Sequence, residues 1–267
     1  MSALASFMKE ESISLYAVLS YKDVRETMPR LRSSLPFEPR SVIVFLLPYY
    51  TGETVNLSRY AASKDYHIHI RAVGERLIRH LSHSFPAASF HTYGDHSPID
   101  ERSAALIGGL GILGDNGLLI TEEYGSYVFI GDVLTDLAPE CLGATAPQPV
   151  RYCEHCGRCR AACPTGILRG ESDDCLSAIT QRKGKLTDEE IALMRTCGTV
   201  WGCDECQCHC PHNRHASTTP IPFFYEDRIA HLTSAQLEQM DEQAFRERAY
   251  AWRGRKTIER NLLLTET

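Results

Sequence analysis

The pattern of apolar and polar positions along the chain predicts where its first helices and strands lie. Residues 42–47 form a continuous apolar run of strand length that ends at Pro48, which is typical of a buried strand. Residues 65–81 place apolar side chains at helical spacing and predict a helix. The predicted buried face of that helix consists of Tyr66, Ile70, Val73, Leu77 and Leu81.

Further alternating segments follow along the next part of the chain. Residues 90–93, 118–121 and 127–134 have the composition of strands, and residues 101–107 are helical in character. A turn at residues 122–125 is expected to join the last two strands. This alternation predicts an α/β (α+β) catalytic domain over residues 1–140.

The composition changes beyond residue 138. Residues 138–151 contain three Pro and few charges, which is typical of a linker. After residue 220 a helical pattern returns, with Thr233 or Ser234 as the N-cap and a final helix through Ile258 and Leu262. The predicted division is therefore residues 1–140, a second domain at 141–220 and a helical segment at 221–267.

Charge and length exclude several classes of protein. No apolar run approaches the roughly 20 residues of a membrane span, and the first 20 residues carry Lys9, Glu10 and Glu11 where a secretion signal needs an apolar centre. The net charge of -6 and pI near 6.0 argue against a general nucleic-acid coat protein. A local basic set near the C-terminus is either a solvated helix face or a contact for nucleic acid. Its members are Arg246, Arg248, Arg253, Arg255, Lys256 and Arg260.

The cysteines give the most specific chemical signal. Their first group has the spacing C-x2-C-x2-C-x3-C-P, by which bacterial ferredoxins hold [4Fe–4S] clusters. It consists of Cys153, Cys156, Cys159 and Cys163, followed by Pro164. In that arrangement three thiolates bind one cluster, and the Cys before proline binds a second one. A second group also ends in Cys-Pro, and Cys175 lies between the groups. That second group consists of Cys203, Cys206, Cys208 and Cys210.

Eight thiolates are needed for two clusters, which predicts a ferredoxin-like double-[4Fe–4S] domain. The simplest exchange assigns one cluster to Cys153, Cys156, Cys159 and Cys210. It assigns the other cluster to Cys163, Cys175, Cys203 and Cys206. Of the 11 cysteines, Cys141, Cys197 and Cys208 then remain, and Cys208 competes with Cys210 because alternate positions of an extended segment face opposite ways.

A pair of structural zinc sites is the alternative interpretation, since C-x2-C pairs also form zinc ribbons. The third Cys at the same spacing, the x3 step and the two prolines favour clusters. Disulfides are less favoured, because a cysteine-rich chain without a secretion signal indicates metal binding rather than cross-links.

Upstream of the cysteines, ionisable residues gather between a predicted strand and a predicted helix. They are Asp95, Asp100, Glu101 and Arg102. This is a common position for catalytic residues, although Asp95 is also a good turn former and Glu101 suits the first turn of a helix. Gly109, Gly111 and Gly114 fit the dinucleotide fingerprint, but a helix precedes them and a strand follows, so tight turns are favoured over nucleotide binding.

The order of the motifs resembles that of the epoxyqueuosine reductase family, from about residue 57 to residue 214. The first motifs are Ser58-Arg59-Tyr60-Ala61, then Asp65-Tyr66-His67, then Asp95-x-x-Pro98-x-x-Glu101-Arg102. The glycine group, a Gly125-Ser126 segment and the two Cys groups follow, with Gly202-Cys203-Asp204-Glu205 and Cys210-Pro211-His212-Asn213.

The resemblance implies a cytoplasmic, cobalamin- and iron–sulfur-dependent oxidoreductase that reduces epoxyqueuosine to queuosine in tRNA. It implies that Asp95 donates a proton, that an external donor such as a flavodoxin or ferredoxin supplies electrons, and that the anticodon loop of tRNA is bound. The implied cobalamin contacts are Gly117, Ser126, Phe129 and Ser177. Many members continue into a helical-repeat domain that helps grip tRNA, so the resemblance is to a short form that ends at Thr267.

Two other functions stay open from the sequence. The chain is either a related cobalamin and iron–sulfur reductase with another substrate, or a ferredoxin-like electron carrier without its own substrate. Asp95 and the full predicted domain upstream of the cysteines favour an enzyme over a carrier.

Overall fold

The structure is a computed structural model that describes residues 2–266. The strands are β1 (Tyr16–Ser20), β2 (Ser41–Pro48), β3 (Phe90–Gly94), β4 (Ile112–Leu113), β5 (Leu119–Ile120) and β6 (Val128–Thr135). The first helices are α1 (Ala3–Glu10), α2 (Pro29–Ser33), α3 (Tyr66–Ser84), α4 (Glu101–Ile107) and α5 (Pro139–Leu142). They are followed by α6 (Arg158–Ala162), α7 (Leu176–Gln181), α8 (Asp188–Cys197), α9 (Glu205–Cys208), α10 (Ser234–Gln239), α11 (Glu242–Arg246) and α12 (Arg255–Thr265).

Packing divides the chain into two compact units. The first comprises the residues up to Pro48 together with His67–Glu154, and the second comprises Tyr49–Tyr66 together with the residues from His155 onward. This division differs from the predicted boundaries at residues 140 and 220, because residues 49–66 pack with the C-terminal half. Within residues 2–266, no helix is both long and apolar enough to cross a bilayer.

The first unit is built on a four-stranded sheet with the order β1-β2-β6-β3, antiparallel throughout. The fold is therefore of the α+β kind within the predicted class. Every residue of the central strand β2 is buried, which agrees with its uninterrupted apolar sequence. Because side chains alternate between the two faces of a strand, β2 and β6 each contribute to two layers of core.

Helices cover both faces of this sheet. On one face, α3 approaches so closely that a Cβ at Gly94 would lie 2.9 Å from Ile70, and α1 joins α3 through Phe7 and His80, whose rings are 5.5 Å apart. On the opposite face, α4 packs Ala104 and Ala105 into a core with the apolar side chains of β2. Small residues on α4 allow the helix to lie close to the strands.

Most predicted elements of this unit are confirmed, including the turn at residues 122–125, where the Thr121 N–H donates to the Gly125 carbonyl at 2.8 Å. The two strands that this turn joins do not pair with each other: β5 pairs with β4, whereas β6 pairs with β2 and β3. The segment predicted as a linker is held to the first unit, since Thr145 and Val18 exchange two hydrogen bonds of 2.7 and 3.0 Å. Both findings concern long-range contacts, which local sequence pattern does not specify.

The second unit has its own apolar core around Trp201 and Tyr250, both fully buried. Its last helix, α12, contributes Ile258 and Leu262 as predicted. Thr233 is the N-cap of α10 in a capping box with Gln236, which confirms one of the two predicted caps. Asn261 of α12 is fully buried and donates to the carbonyls of Thr180 and Val200 at 2.7 and 2.8 Å.

Candidate functional site

Asp95 lies in the loop between β3 and α4 of the first unit. Its backbone φ is +63°, in the left-handed region that few residues other than glycine adopt. The side chain is 53% exposed, and its Oδ2 lies 3.5 Å from Nε2 of His67 in the first turn of α3. An accessible carboxyl in a strained loop beside an imidazole is a suitable group for proton transfer to a ligand.

Both ends of this loop are held in place. At its start, a Cβ at Gly94 would lie 2.9 Å from the side chain of Ile70, so a larger residue there would require Ile70 to shift. At its end, Asp100 caps α4 by accepting the backbone N–H of Ser103 at 2.9 Å. The predicted charge cluster therefore divides into two functions, because Asp100 is structural whereas Asp95 is presented at the tip.

A small cavity lies beside the Asp95 loop. Its volume is about 170 Å³, and it is lined by His67, Ile70, Arg71, Thr92, Tyr93, Gly94 and His96. Pockets that bury a whole drug-sized ligand typically measure about 300–1,000 Å³. The cavity is thus sized for one reacting group of a larger ligand.

A pair of buried carboxyl groups lies behind the loop, formed by Glu101 in the first turn of α4 and Asp132 of β6. Asp132 is fully buried, and neither of its carboxylate oxygens has a hydrogen-bond partner of normal geometry; the same holds for Oε1 of Glu101. Burial raises the pKa of Glu101, and the neighbouring charge of Asp132 raises it further. Burial likewise raises the pKa of Asp132.

No chemical role was predicted for Asp132, and Glu101 was interpreted only as a motif position or a first-turn charge. The available signal was an Asp in the middle of an apolar strand, in the segment Phe129-Ile130-Gly131-Asp132-Val133. Its side chain faces the α4 layer because β6 alternates, as does Leu134 of the same core. A buried acid in such a position calls for a partner or a proton.

The four predicted cofactor contacts are distributed over both units. Gly117, Ser126 and Phe129 belong to the first unit and Ser177 to the second. Gly117 has φ of +77°, and its carbonyl accepts a hydrogen bond from Arg102. Ser126 is buried just before β6, and the Ser177 hydroxyl accepts from Gln181 at 3.1 Å. Their role as cofactor contacts stays a prediction.

Within residues 2–266, none of the eleven cysteines forms a disulfide, and the predicted cluster ligands differ in burial. Cys159, Cys163 and Cys210 are buried, and Cys156 is exposed. The other four, Cys153, Cys175, Cys203 and Cys206, are half-buried. Cys208 is exposed while Cys210 is buried, which favours Cys210 as the ligand of the two. A set of reduced, partly shielded thiols is suited to hold iron–sulfur clusters.

Two of these thiols have surroundings that suit metal binding. Burial would raise the pKa of Cys163, but the backbone N–H groups of Leu168, Gly166 and Thr165 outweigh burial and lower it. Burial and then the nearby thiols of Cys175 and Cys206 raise the pKa of Cys203 to about 12. Thiols that repel each other's negative charge become a favourable ligand set once a cation lies among them.

Residues 58–60 hold the second cysteine group in place, all within the second unit. Asp204, between Cys203 and Cys206, accepts the backbone N–H of Arg59 at 2.7 Å and its Nη1 at 3.2 Å, and it also accepts from the Ser58 hydroxyl. Trp201 donates its indole N–H to the Tyr60 hydroxyl at 2.8 Å. The role of the motif at residues 58–60 is therefore to hold the second cysteine segment in place.

Arg59 also donates to the sulfur of Cys208 at 2.9 Å. Cys208 is one of the three cysteines left over by the predicted assignment, and a guanidinium already contacts its Sγ. Gly202 has φ of +77°, and a Cβ there would collide with Ser58. The second cysteine segment consequently fits its support only with glycine at position 202.

The predicted basic set near the C-terminus is largely used inside the second unit. Arg248 donates to the carbonyls of Ala62 and Asp227, at 2.7 Å in each case. Arg255 and Arg260 likewise donate to backbone carbonyls, and Arg246 pairs with Glu242. Of the six residues, Arg253 and Lys256 remain for a ligand, and the Arg253 guanidinium lies 3.9 Å from the ring centre of the exposed Trp252.

Comparison with known proteins supports the interpretation of both units. A family described as a 4Fe-4S double cluster binding domain matches residues 152–213. An epoxyqueuosine reductase from Gloeobacter violaceus is 33% identical over 245 residues, which cover 83% of this chain and 73% of that protein.

Two solved structures have the same fold. One is an epoxyqueuosine reductase from Streptococcus thermophilus, with a TM-score of 0.81 and 23% identity. The other is an epoxyqueuosine reductase with an epoxyqueuosine-modified tRNA stem loop, with a TM-score of 0.80 and 23% identity. Each match covers 98% of this chain and 79% of the other.

Proposed function

The chain belongs to the epoxyqueuosine reductase family, and from that premise we propose that it reduces the epoxide of epoxyqueuosine in tRNA to the alkene of queuosine. The observation that carries the proposal is the combination, in one chain, of a double-cluster segment with a carboxyl loop beside a small cavity. An electron carrier without its own substrate has no use for the second feature.

The reaction fixes what the protein must supply. Both C–O bonds of the epoxide break, a C=C bond forms and the oxygen leaves as water, so each turnover takes up two electrons and two protons. The clusters bound by the cysteines transfer electrons one at a time. A reduced flavodoxin or ferredoxin is the proposed external donor, in keeping with a cytoplasmic location.

Asp95 is the proposed proton donor. Its carboxyl is accessible at the tip of a held loop, within 3.5 Å of the His67 ring. A carboxyl must carry a proton in order to donate it, and contact with an apolar ligand would favour the protonated form by excluding water. His67 is proposed to orient the carboxyl through this 3.5 Å contact.

Cobalamin is the proposed second cofactor, on the strength of family membership. When bound, its cobalt supplies reducing electrons to the substrate carbon. The cavity of about 170 Å³ beside Asp95 is too small for a corrin ring, so the cofactor would need surface beyond it. Gly117, Ser126, Phe129 and Ser177 are the residues proposed to contact it, and no step of the reaction is assigned to them.

The proposed RNA contact differs from the one expected from sequence. Because most of the C-terminal arginines donate to backbone carbonyls, the remaining groups are Trp252, Arg253 and Lys256. An exposed indole can stack on an unpaired base, and cations contact phosphates. The exposed Arg158 and Arg160 of the first cysteine segment are further candidates for phosphate contact.

The test is epoxide reduction by protein purified without oxygen and supplied with cobalamin and a low-potential reductant. Whole tRNA and a short anticodon stem-loop are compared at low salt. The product is identified by mass spectrometry, because the modified nucleoside loses the mass of one oxygen atom. We expect both RNAs to be reduced. If cobalt and clusters are reduced normally but neither RNA reacts, the tRNA assignment is wrong and a related reductase with another substrate replaces it.

A further inference from the structure

The proposed reaction consumes two protons, whereas Asp95 can donate only one before it must be protonated again. We propose that Glu101 and Asp132 share a stored proton behind the Asp95 loop and return it to Asp95 during turnover. This inference rests on the proposed function and assigns two positioning residues to the same site.

The position of Asp132 is the first argument. It lies in the middle of β6, between Val44 of β2 and Tyr93 of β3, and it is fully buried. Neither of its oxygens has a hydrogen-bond partner of normal geometry, although the side chains of Ser97 and Glu101 are near. An ionised carboxylate in such a place is strongly unfavourable, because no counter-charge compensates for the hydration that it loses.

A proton removes that cost. Glu101 reaches the same region from α4 with one of its own oxygens buried and unpartnered. Two carboxyls that face each other away from water do not both ionise, because each negative charge disfavours the other. The pair therefore binds one proton in common over a wide pH range, and its titration belongs to both groups.

In the described part of the chain, no cationic side chain is among the groups that shift the pKa of Glu101 or Asp132. The titratable groups that interact with the pair are themselves acidic: Asp95 in the loop and Tyr93 on β3. Within residues 2–266, the three carboxyls also do not converge closely enough to share a metal ion. A neutral, proton-sharing pair is the state that fits this apolar layer.

Asp95 is linked to the pair in two ways. Its backbone N–H donates to the carboxylate of Glu101, and its side-chain charge acts on the same group. Because the two charges act on each other, a negative charge on the pair raises the affinity of Asp95 for a proton, and this coupling is reciprocal. The loop that carries the donor is thus attached directly to the proton store.

The proton store can be measured without any substrate. In the infrared spectrum of the anaerobically purified protein with its clusters, we expect a carbonyl band of a buried protonated carboxyl near neutral pH. Glu101→Gln and Asp132→Asn should each shift or remove it, because the two carboxyls share the proton, and Glu140→Gln, an exposed carboxyl in the same unit, should leave it unchanged. Absence of the band from the wild type overturns the inference whatever the activity.

Stability gives an independent check on the same pair. Because the folded pKa values lie above the unfolded ones, the stabilisation is complete below the ordinary carboxyl range and is lost as pH rises through the raised values. Asp132→Asn should therefore flatten the loss of stability toward alkaline pH. An identical pH profile of the denaturation midpoint in wild type and variant contradicts a shared proton.

Catalysis provides the last readout. The single-turnover rate of Glu101→Gln should fall by about tenfold or more, and the alkaline limb of its pH profile should shift. Glu140→Gln should match the wild type. An active wild-type enzyme whose profile is unchanged in both pair variants overturns the inference, whereas an inactive wild type with the infrared band present overturns the proposed function instead.

Discussion

The two units of this protein present their chemistry in opposite ways. In the second unit, the reactive groups are thiols that belong to short, regularly spaced sequence motifs. Buried side chains such as Asp204 hold the segment that carries these thiols. In the first unit, the acid groups come from a loop, a helix and a strand that are distant in sequence. Only folding brings Asp95, Glu101 and Asp132 into one region.

The difference also concerns what the fold depends on. The first unit has a complete sheet with covered faces, so its acid site is placed on a scaffold with its own apolar core. Much of the second unit consists of short helices and turns around thiols, with a small apolar cluster of Leu176, Ile179 and Met194 beside them. Metal binding to such a region contributes directly to its folding. Changes at the two sites should consequently have different consequences.

The largest effect is expected from loss of a cluster ligand. Cys203→Ser should lower iron from about eight to about four atoms per chain and unfold the cysteine region, because the bound metal stabilises the fold there. Iron analysis and proteolysis after anaerobic purification measure both effects. Cys141→Ser is the control, since Cys141 is exposed and lies outside the predicted ligand sets. Stoichiometric zinc in the wild type, or full iron in Cys203→Ser, contradicts the assignment.

In the first unit, loss of the reactive group should leave the fold intact. Asp95→Asn should lower turnover by about 10²–10⁴-fold, as expected for removal of a general acid, while iron content and thermal stability stay unchanged. Asp23→Asn, a matched change at an exposed position of the same unit, should have no effect. Near-normal turnover of Asp95→Asn would show that Asp95 is only a turn residue, and the first unit would then lack the proposed proton donor.

Features that depend on a local pattern could be predicted from the sequence, whereas features that depend on contacts between distant segments could not. The strand at residues 42–47, the helix at 65–81 and the double-cluster segment were predictable because each is a local pattern with a fixed period or spacing. The pairing of β5 with β4 and the partner of Asp132 were not, since both depend on contacts between distant segments. Arg248 and Arg255 were predicted to belong to a basic set available to a ligand. Instead they donate to backbone carbonyls of segments that are distant in sequence.

A third prediction tests whether the second unit has protein support beyond metal. Asp204 is buried and accepts three hydrogen bonds from Ser58 and Arg59. Asp204→Asn keeps the shape but leaves the Arg59 guanidinium without its buried counter-charge, which should destabilise the unit by about 3 kcal/mol. The denaturation midpoint of the cluster-loaded protein measures the change, and Asp173→Asn, at an exposed position, is the control. Equal midpoints would mean that the clusters alone hold the cysteine segment.

The smallest effect concerns the surface proposed to contact RNA, where side chains are exposed and each contact is weak. Trp252→Ala should reduce affinity for the anticodon stem-loop by about 1–3 kcal/mol with little change in salt dependence, because stacking carries no charge. Lys256→Ala should reduce the salt slope by about one unit, as expected for one lost phosphate contact. Leu263→Ala, another exposed side chain of the same unit, is the control for Trp252. If neither change affects binding, the RNA contact lies elsewhere on the protein. Arg158 and Arg160, which flank Cys159 in the first cysteine group, are then the next residues to replace.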